Sequence, residues 1–231
     1  ATVSASRCGQ GSVVLSASGS GILNWYDDSL TTNLVDTGLT FNTPPLSATT
    51  DYWVEEVVFS ASQYAGPPDN TFGSGGNYQG DRHLVFDCYK SLRIVSVLVY
   101  AQGAGFRTIE LRDNIGLVIQ DTLIYIQDGQ SRITLNFDVP VGTDLQLGIS
   151  GTPDLFRNST DAIYPYTLPG WLSITGVNAP SSYYYFFYDW EVKEPCTSVS
   201  TRVTATIYQE PTAAITVNTS TTCSGACDGV A

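Results

Sequence analysis

Methionine is absent from the 231-residue chain, histidine occurs once, and lysine and arginine together number only 10. Against these stand 22 aspartates and glutamates, a formal charge of -12. Such a balance repels phosphate backbones and anionic lipid surfaces, so nucleic acid is not an expected partner. No apolar run reaches the roughly 18 to 20 residues that span a bilayer, so no membrane insertion is expected of this segment. The opening ATVSASRCGQG has neither a basic n-region nor an apolar h-region. Helical periodicity is missing too: no window of a dozen residues keeps apolar positions at i, i+3, i+4 and i+7 free of Gly, Pro or β-branched runs.

What is present is a chain 42% hydrophobic and 12% aromatic but only 14% charged, filled out by Gly, Ser, Thr, Asn and Tyr. That composition suits a folded extracellular protein of one or two domains. Alternating or β-branched stretches bounded by turn residues predict strands at 12–16, 22–26, 51–58, 84–88, 92–100, 107–112, 118–126, 131–137, 144–149, 183–192, 201–208 and 213–218. The class is all-β, of sandwich or jelly-roll type. Composition shifts at 63–80, rich in Gly, Pro, Asn and Ser, and at 193–195. Within the first of these, Gly73-Ser74-Gly75-Gly76 reads as a flexible linker.

Several short motifs carry a family resemblance: Cys8-Gly9-x-Gly11, Asn24-Trp25-Tyr26-Asp27, Thr43-Pro44 before Leu46, and Thr49-Thr50-Asp51-Tyr52-Trp53-Val54-Glu55. They resemble an immunoglobulin-like module frequent in large surface and secreted proteins of gliding Bacteroidota. The last strand of that module is matched only at Cys196-Thr197-Ser198, leading into Arg202-Val203. The resemblance therefore implies an immunoglobulin-like sandwich built from 1–59 and 195–210, with a jelly-roll-like domain, 60–194, inserted between its last two strands. Residues 70–192 resemble a jelly-roll-like domain of the same proteins. Thr222-Cys223-Ser224-Gly225-Ala226-Cys227-Asp228-Gly229 resembles the opening of repeats in gliding-motility adhesins of the SprB type, so 211–231 is expected to start another β module of a longer protein.

With that split, five cysteines divide into Cys8 with Cys196, Cys223 with Cys227, and an unpaired Cys88. The pair Cys223 and Cys227 could instead be half of a zinc site. Asp28-Ser29-Leu30 and Asp121-Thr122-Leu123 match the pattern of Bacteroidota O-glycosylation, which marks Ser29 and Thr122 as acceptors. Turn aspartates at 113, 128, 138, 144 and 154 suggest a structural calcium site. No other cofactor is expected.

A sandwich with exposed aromatics can stack sugar rings while carboxylates, amides and guanidinium groups hold the hydroxyls. Asp154, Arg157, Asn158, Asp161, Tyr164, Tyr166 and Trp171 fall within eighteen residues that show no strand alternation, and form the candidate glycan loop. The run from Tyr183 to Trp190 is expected to pack inward. Catalysis is not expected. His83 follows Gly80-Asp81-Arg82 with no nucleophile motif nearby, and no Gly-x-Ser-x-Gly, His-Glu-x-x-His or phosphate loop occurs.

These readings converge on a segment of a cell-surface adhesin exported by the gliding-type (type IX) secretion machinery. Its partners would be a surface polysaccharide or glycan and the neighbouring repeats of its own chain. The competing readings are an accessory carbohydrate-binding region of a secreted enzyme and a purely structural spacer.

Overall fold

The computed structural model describes residues 1–214, and every described element is a β-strand, bridge, turn or bend. The expected β module at 211–231 falls largely outside the described residues, as do Cys223 and Cys227. Residues 211–214 lie in no strand. In chain order come β1 (Thr2–Val3), β2 (Ala5–Cys8), β3 (Val14–Ala17), β4 (Ile22–Tyr26), β5 (Leu34–Thr37), β6 (Thr40–Asn42) and β7 (Thr50–Phe59). Next are β8 (Gln63–Ala65), β9 (Gly75–Tyr78), β10 (His83–Cys88), β11 (Leu92–Ala101), β12 (Gly105–Arg112), β13 (Val118–Ile126), β14 (Gly129–Val139) and β15 (Gly142–Ser150). The chain continues through β16 (Leu155–Asn158), β17 (Tyr166–Leu168), β18 (Leu172–Val177), β19 (Tyr184–Tyr185) and β20 (Tyr188–Lys193). It ends with β21 (Pro195–Thr197) and β22 (Thr201–Tyr208).

Two compact units result: Ala1–Val57 together with Thr197 onward, and Val58–Cys196. In the first, β1-β3-β6 forms one sheet and β2-β22-β7-β4-β5 another. Alternation within each strand sends Leu15 and Ala17, Leu23 and Trp25, Tyr52 and Val54, and Val203 and Ala205 inward. Phe41 sits at the centre, 5.8 Å from the Trp25 ring and 4.9 Å edge-on from Tyr52. The buried ends are satisfied: Trp25 Nε1 donates to the Gly38 carbonyl at 2.8 Å, and Thr43 Oγ1 accepts the Val13 amide at 3.0 Å. The strand at 201–208 is integral to this sandwich, antiparallel to β7 and parallel to β2. Its Val203 and Ala205 belong to the buried core of this unit.

The second unit packs β13-β12-β15-β10-β18-β17 against β19-β16-β11-β20-β8, with β14 added to β11 and β9 added to β16. All its pairings are antiparallel, and successive strands cross repeatedly between the two sheets. Inward residues of β10, β12 and β15 (Leu84, Phe86, Ile109, Leu111, Leu147, Ile149) meet those of β11, β14 and β20. Phe86 and Trp190, edge to face at 5.2 Å, join the layers.

The aromatic run departs from the single strand expected at 183–192. Tyr184, Tyr185, Phe186, Phe187, Tyr188 and Trp190 are all 3% exposed or less. One strand would alternate them between two faces. Instead the chain breaks between β19 and β20, where Phe186 takes φ 69. A left-handed turn at a bulky residue costs about 1–2 kcal/mol. Burial of six rings offsets it, each worth about 1.5–3 kcal/mol.

The Gly-rich stretch differs from its reading as a linker. Gly75 and Gly76 lie in β9, paired to Asn158 and Arg157 of β16. A Cβ on Gly75 would come within 2.3 Å of the Arg157 carbonyl oxygen, so glycine serves close strand approach rather than flexibility.

The bridge between Cys8 and Cys196 is also corrected: both are exposed free thiols. Cys8 is opposite Tyr208 at one end of β22, whereas the segment entering β22 at Thr201 arrives from the other end, with Ser198 donating its amide to Glu56 O. Seven strand steps span about 23 Å, against the ~7 Å Cα limit of a disulfide. Cys196 lies five residues further back along the chain.

Candidate ligand-binding site

The expected glycan loop is interrupted by two short strands, which take up Arg157, Asn158 and Tyr166. Leu155–Asn158 and Tyr166–Leu168 are strands: the first is registered by β9, β11 and β19, all distant in sequence, and the second pairs with β18 across a tight turn. Its seven residues divide accordingly. Asn158 is wholly buried: Nδ2 donates to the carbonyls of Asn70 (3.1 Å) and Phe72, and Oδ1 accepts the Tyr188 hydroxyl at 2.7 Å. It has no capacity left for a ligand.

Tyr164 and Tyr166 pack on the buried Tyr184 at 6.1 and 5.4 Å. Tyr164 donates to Tyr183 O and Tyr166 accepts the Ile163 amide, while burial pushes the Tyr164 phenol well above its ordinary pKa. These rings pack against the core of this unit. Trp171 stands apart at the β17–β18 turn, where its carbonyl accepts the Tyr89 amide and Lys90 Nζ lies 4.7 Å over its ring. Asp154 (φ 48) and Asp161 (φ 67) are left-handed turn residues. Asp154 accepts Gln79 Nε2 at 3.1 Å, and Asp161 accepts Thr160 Oγ1 at 2.9 Å, so neither pairs with Arg157.

Arg157 is the member with a site around it. Across the β9-β16-β19 ladder, Gly76 and Tyr185 flank Arg157, and Tyr78 faces Leu155 two residues earlier on the same face. The guanidinium carbon lies 4.6 Å from the Tyr183 ring centre, 5.3 Å from Tyr78 and 5.8 Å from Tyr185. Tyr183 and Tyr185 stack at 6.0 Å, and Tyr78 meets Tyr185 edge-on at 5.4 Å. A side chain on Gly76, the residue paired with Arg157, would enter open space. Gly80 permits the layout, because a Cβ there would clash with the Tyr78 ring.

Arg82 completes the group, its guanidinium 5.8 Å from the Tyr78 ring centre. Burial raises the Tyr185 phenol pKa, opposed by a hydrogen bond from Arg82 and the nearby charge of Arg157. Arg82 Nε and Arg157 Nε are buried without an acceptor. An unmet buried N–H costs about 1–3 kcal/mol. Sequence reasoning missed Tyr78, Arg82, Tyr183 and Tyr185 as site residues.

Elsewhere, Arg112 pairs with Glu110 at 2.6 Å and Asp81 at 3.5 Å on the outer face of the β12-β15-β10 sheet, beside His83. Burial and then Arg112 hold the His83 pKa below its ordinary value. The turn aspartates do not gather round calcium. Asp113 accepts the amides of Ile115 and Leu117, Asp128 accepts that of Gly103, and Asp138 holds Arg93 at 2.7 Å. Among the described residues no three His, Cys, Asp or Glu side chains form a metal-binding group. Ser29 is exposed in a turn organised by Asp28, whose carboxylate accepts the amides of Leu30, Thr32 and Asn33. Thr122 is half-buried in β13.

Among the described residues no helix is long and apolar enough to cross a membrane. Comparison with curated proteins and with solved structures found no match. Residues 1–63 match the family model described as Ig-like domain CHU_C associated, which identifies that stretch as an immunoglobulin-like module of the surface-protein kind.

Proposed function

We propose that the chain is a segment of a large modular Bacteroidota-type cell-surface adhesin, of the gliding-motility kind and exported by type IX secretion. In this reading the immunoglobulin-like unit is a spacer and the Val58–Cys196 unit a glycan-binding head without catalytic activity. The observation that carries the binding role is the Arg157 guanidinium set against the Tyr78 and Tyr183 rings, with open space at Gly76 on the neighbouring strand. Tyrosine faces stack on pyranose C–H groups, and a guanidinium fork holds ring hydroxyls or acidic substituents. The surface-protein character of residues 1–63 supports the location.

The test is a glycan-array screen of the whole 231-residue chain beside Tyr183→Ala and Trp171→Ala. The expected result is a reproducible sugar signal that Tyr183→Ala abolishes and Trp171→Ala retains. A folded chain silent across the array, or a signal lost only in Trp171→Ala, overturns the assignment.

A further inference from the structure

We propose that the arginine–tyrosine cluster around Arg157 selects saccharides carrying an anionic group, a uronate carboxylate or a sulfate. This inference rests on the glycan-binding reading above and narrows it. In so acidic a chain a basic side chain has acidic company by default. Lys90, Arg93, Arg112, Arg132 and Arg202 each meet a carboxylate. Arg107, buried, is held by the carbonyls of Pro153, Gly105 and Gly103.

Among the described residues Arg82 and Arg157 form no salt bridge, as is also true of Arg7 and Lys193, but Arg82 and Arg157 alone among the arginines keep a buried Nε–H with no acceptor. The acids near them in sequence have other partners: Asp81 reaches Arg112, Asp154 accepts from Gln79, and Asp161 accepts from Thr160. Both guanidinium groups instead lie against Tyr78 and Tyr185, whose rings reduce hydration without neutralising charge. Two cations set against the same two tyrosine rings, each with a buried Nε–H short of an acceptor, present the complement of an oxyanion. The tyrosines around them add faces for the sugar that carries it. Neutral sugars would leave both charges uncompensated, so discrimination rests on the acidic group.

The test is calorimetric titration of the whole chain with tetragalacturonate, with its fully methyl-esterified form, and with a sulfated galactan tetrasaccharide. Arg82→Gln, Arg157→Gln and Arg157→Lys are compared with Arg202→Gln, which removes a charge far along the sequence on an exposed side chain. The expected result is binding of at least one anionic tetrasaccharide, weakened at least tenfold by Arg157→Gln and by Arg82→Gln. Binding should also weaken between 50 and 300 mM salt and be unaffected by Arg202→Gln. Arg157→Lys should recover only part of it, because an ammonium lacks the planar fork. The better of the two anionic ligands identifies whether carboxylate or sulfate is preferred. Equal affinity for the methyl ester and the acid, or anion binding insensitive to both arginine variants, overturns the inference while leaving glycan binding standing. A folded chain that binds none of the three overturns the inference, and the array screen then decides glycan binding by itself.

Discussion

Asn158 offers the sharpest contrast between a ligand residue and a framework residue. Its amide joins three segments: the carbonyls of Asn70 and Phe72 before β9, and the Tyr188 hydroxyl at the start of β20. Both Asn158 and Tyr188 are 0% exposed. Asn158→Ala strands one hydroxyl and two carbonyls where water has little access, and also leaves a small cavity. Each stranded group costs about 1–3 kcal/mol, and partial relaxation puts the total on the order of 3–5 kcal/mol. Urea denaturation followed by near-UV circular dichroism, which reports the packed tyrosines of this unit, gives the measurement. Tyr188→Phe alone should cost about 1–2 kcal/mol, and clearly less in the Asn158→Ala background, because its partner is already gone. A loss below about 1 kcal/mol for Asn158→Ala, or strict additivity of the two changes, would refute the network and return Asn158 to an exposed ligand-facing role.

Two further predictions concern titrating groups. Cys8 and Cys196 should react with a thiol reagent in the native state within minutes. Cys88, which donates to Lys90 O and whose thiol burial pushes up to about 11, should remain unmodified until unfolding. Mass mapping that finds Cys8 joined to Cys196 sinks the first half of this prediction. Stability should fall as pH drops from 7 towards 5. The folded-state pKa of the single histidine lies below its unfolded value near 6.5, so the unfolded chain takes up the proton first, and the loss accumulates until pH reaches the folded pKa. His83→Gln should flatten that interval without altering the separate loss below pH 4.5, where Glu56 and Glu191, held low by hydrogen bonds, become protonated. An unchanged slope between pH 7 and 5 in the variant would show that another group governs it.

The strands that could be read directly are those with strong local alternation. Ile22–Tyr26, Val118–Ile126 and Thr201–Tyr208 form over the stretches expected of them, because half-buried strands write their period into the chain. β9 and β16 escaped because they owe their existence to partners distant in sequence. Four residues of Gly75–Tyr78 include two glycines, and Leu155–Asn158 offers one apolar pair. β9 has β16 as its strand partner, and β16 is held by β9, β11 and β19, all far away in sequence. The buried amide of Asn158 looked like a surface residue for the same reason, since polarity in sequence says nothing about whether distant carbonyls stand ready to receive it.

The same reasoning explains why the site around Arg157 was only one-fifth visible. Of its five side chains, Tyr78 and Arg82 come from around β9 and β10, Arg157 from β16, and Tyr183 and Tyr185 from the approach to β19 and from β19 itself. A window of eighteen residues can enclose only one of those groups, so proximity in sequence selected Asn158 and Tyr164, which serve the core, along with Arg157, which does not. The three-strand ladder then decides the outcome. Placing Gly76 and Tyr185 on either side of Arg157 leaves one neighbour without a side chain and the other a ring. Had a carboxylate stood at position 76, Arg157 would have an ion-pair partner across the strand, as Arg93 has in Asp138, and no reason to seek an anion from outside. Gly76→Asp is therefore a direct substitution on which to test the assignment: it should leave the fold intact, since space is open there, and abolish binding of an acidic saccharide by supplying the missing anion internally. Unchanged binding in Gly76→Asp would mean that the two unpaired guanidinium groups are not the recognition element.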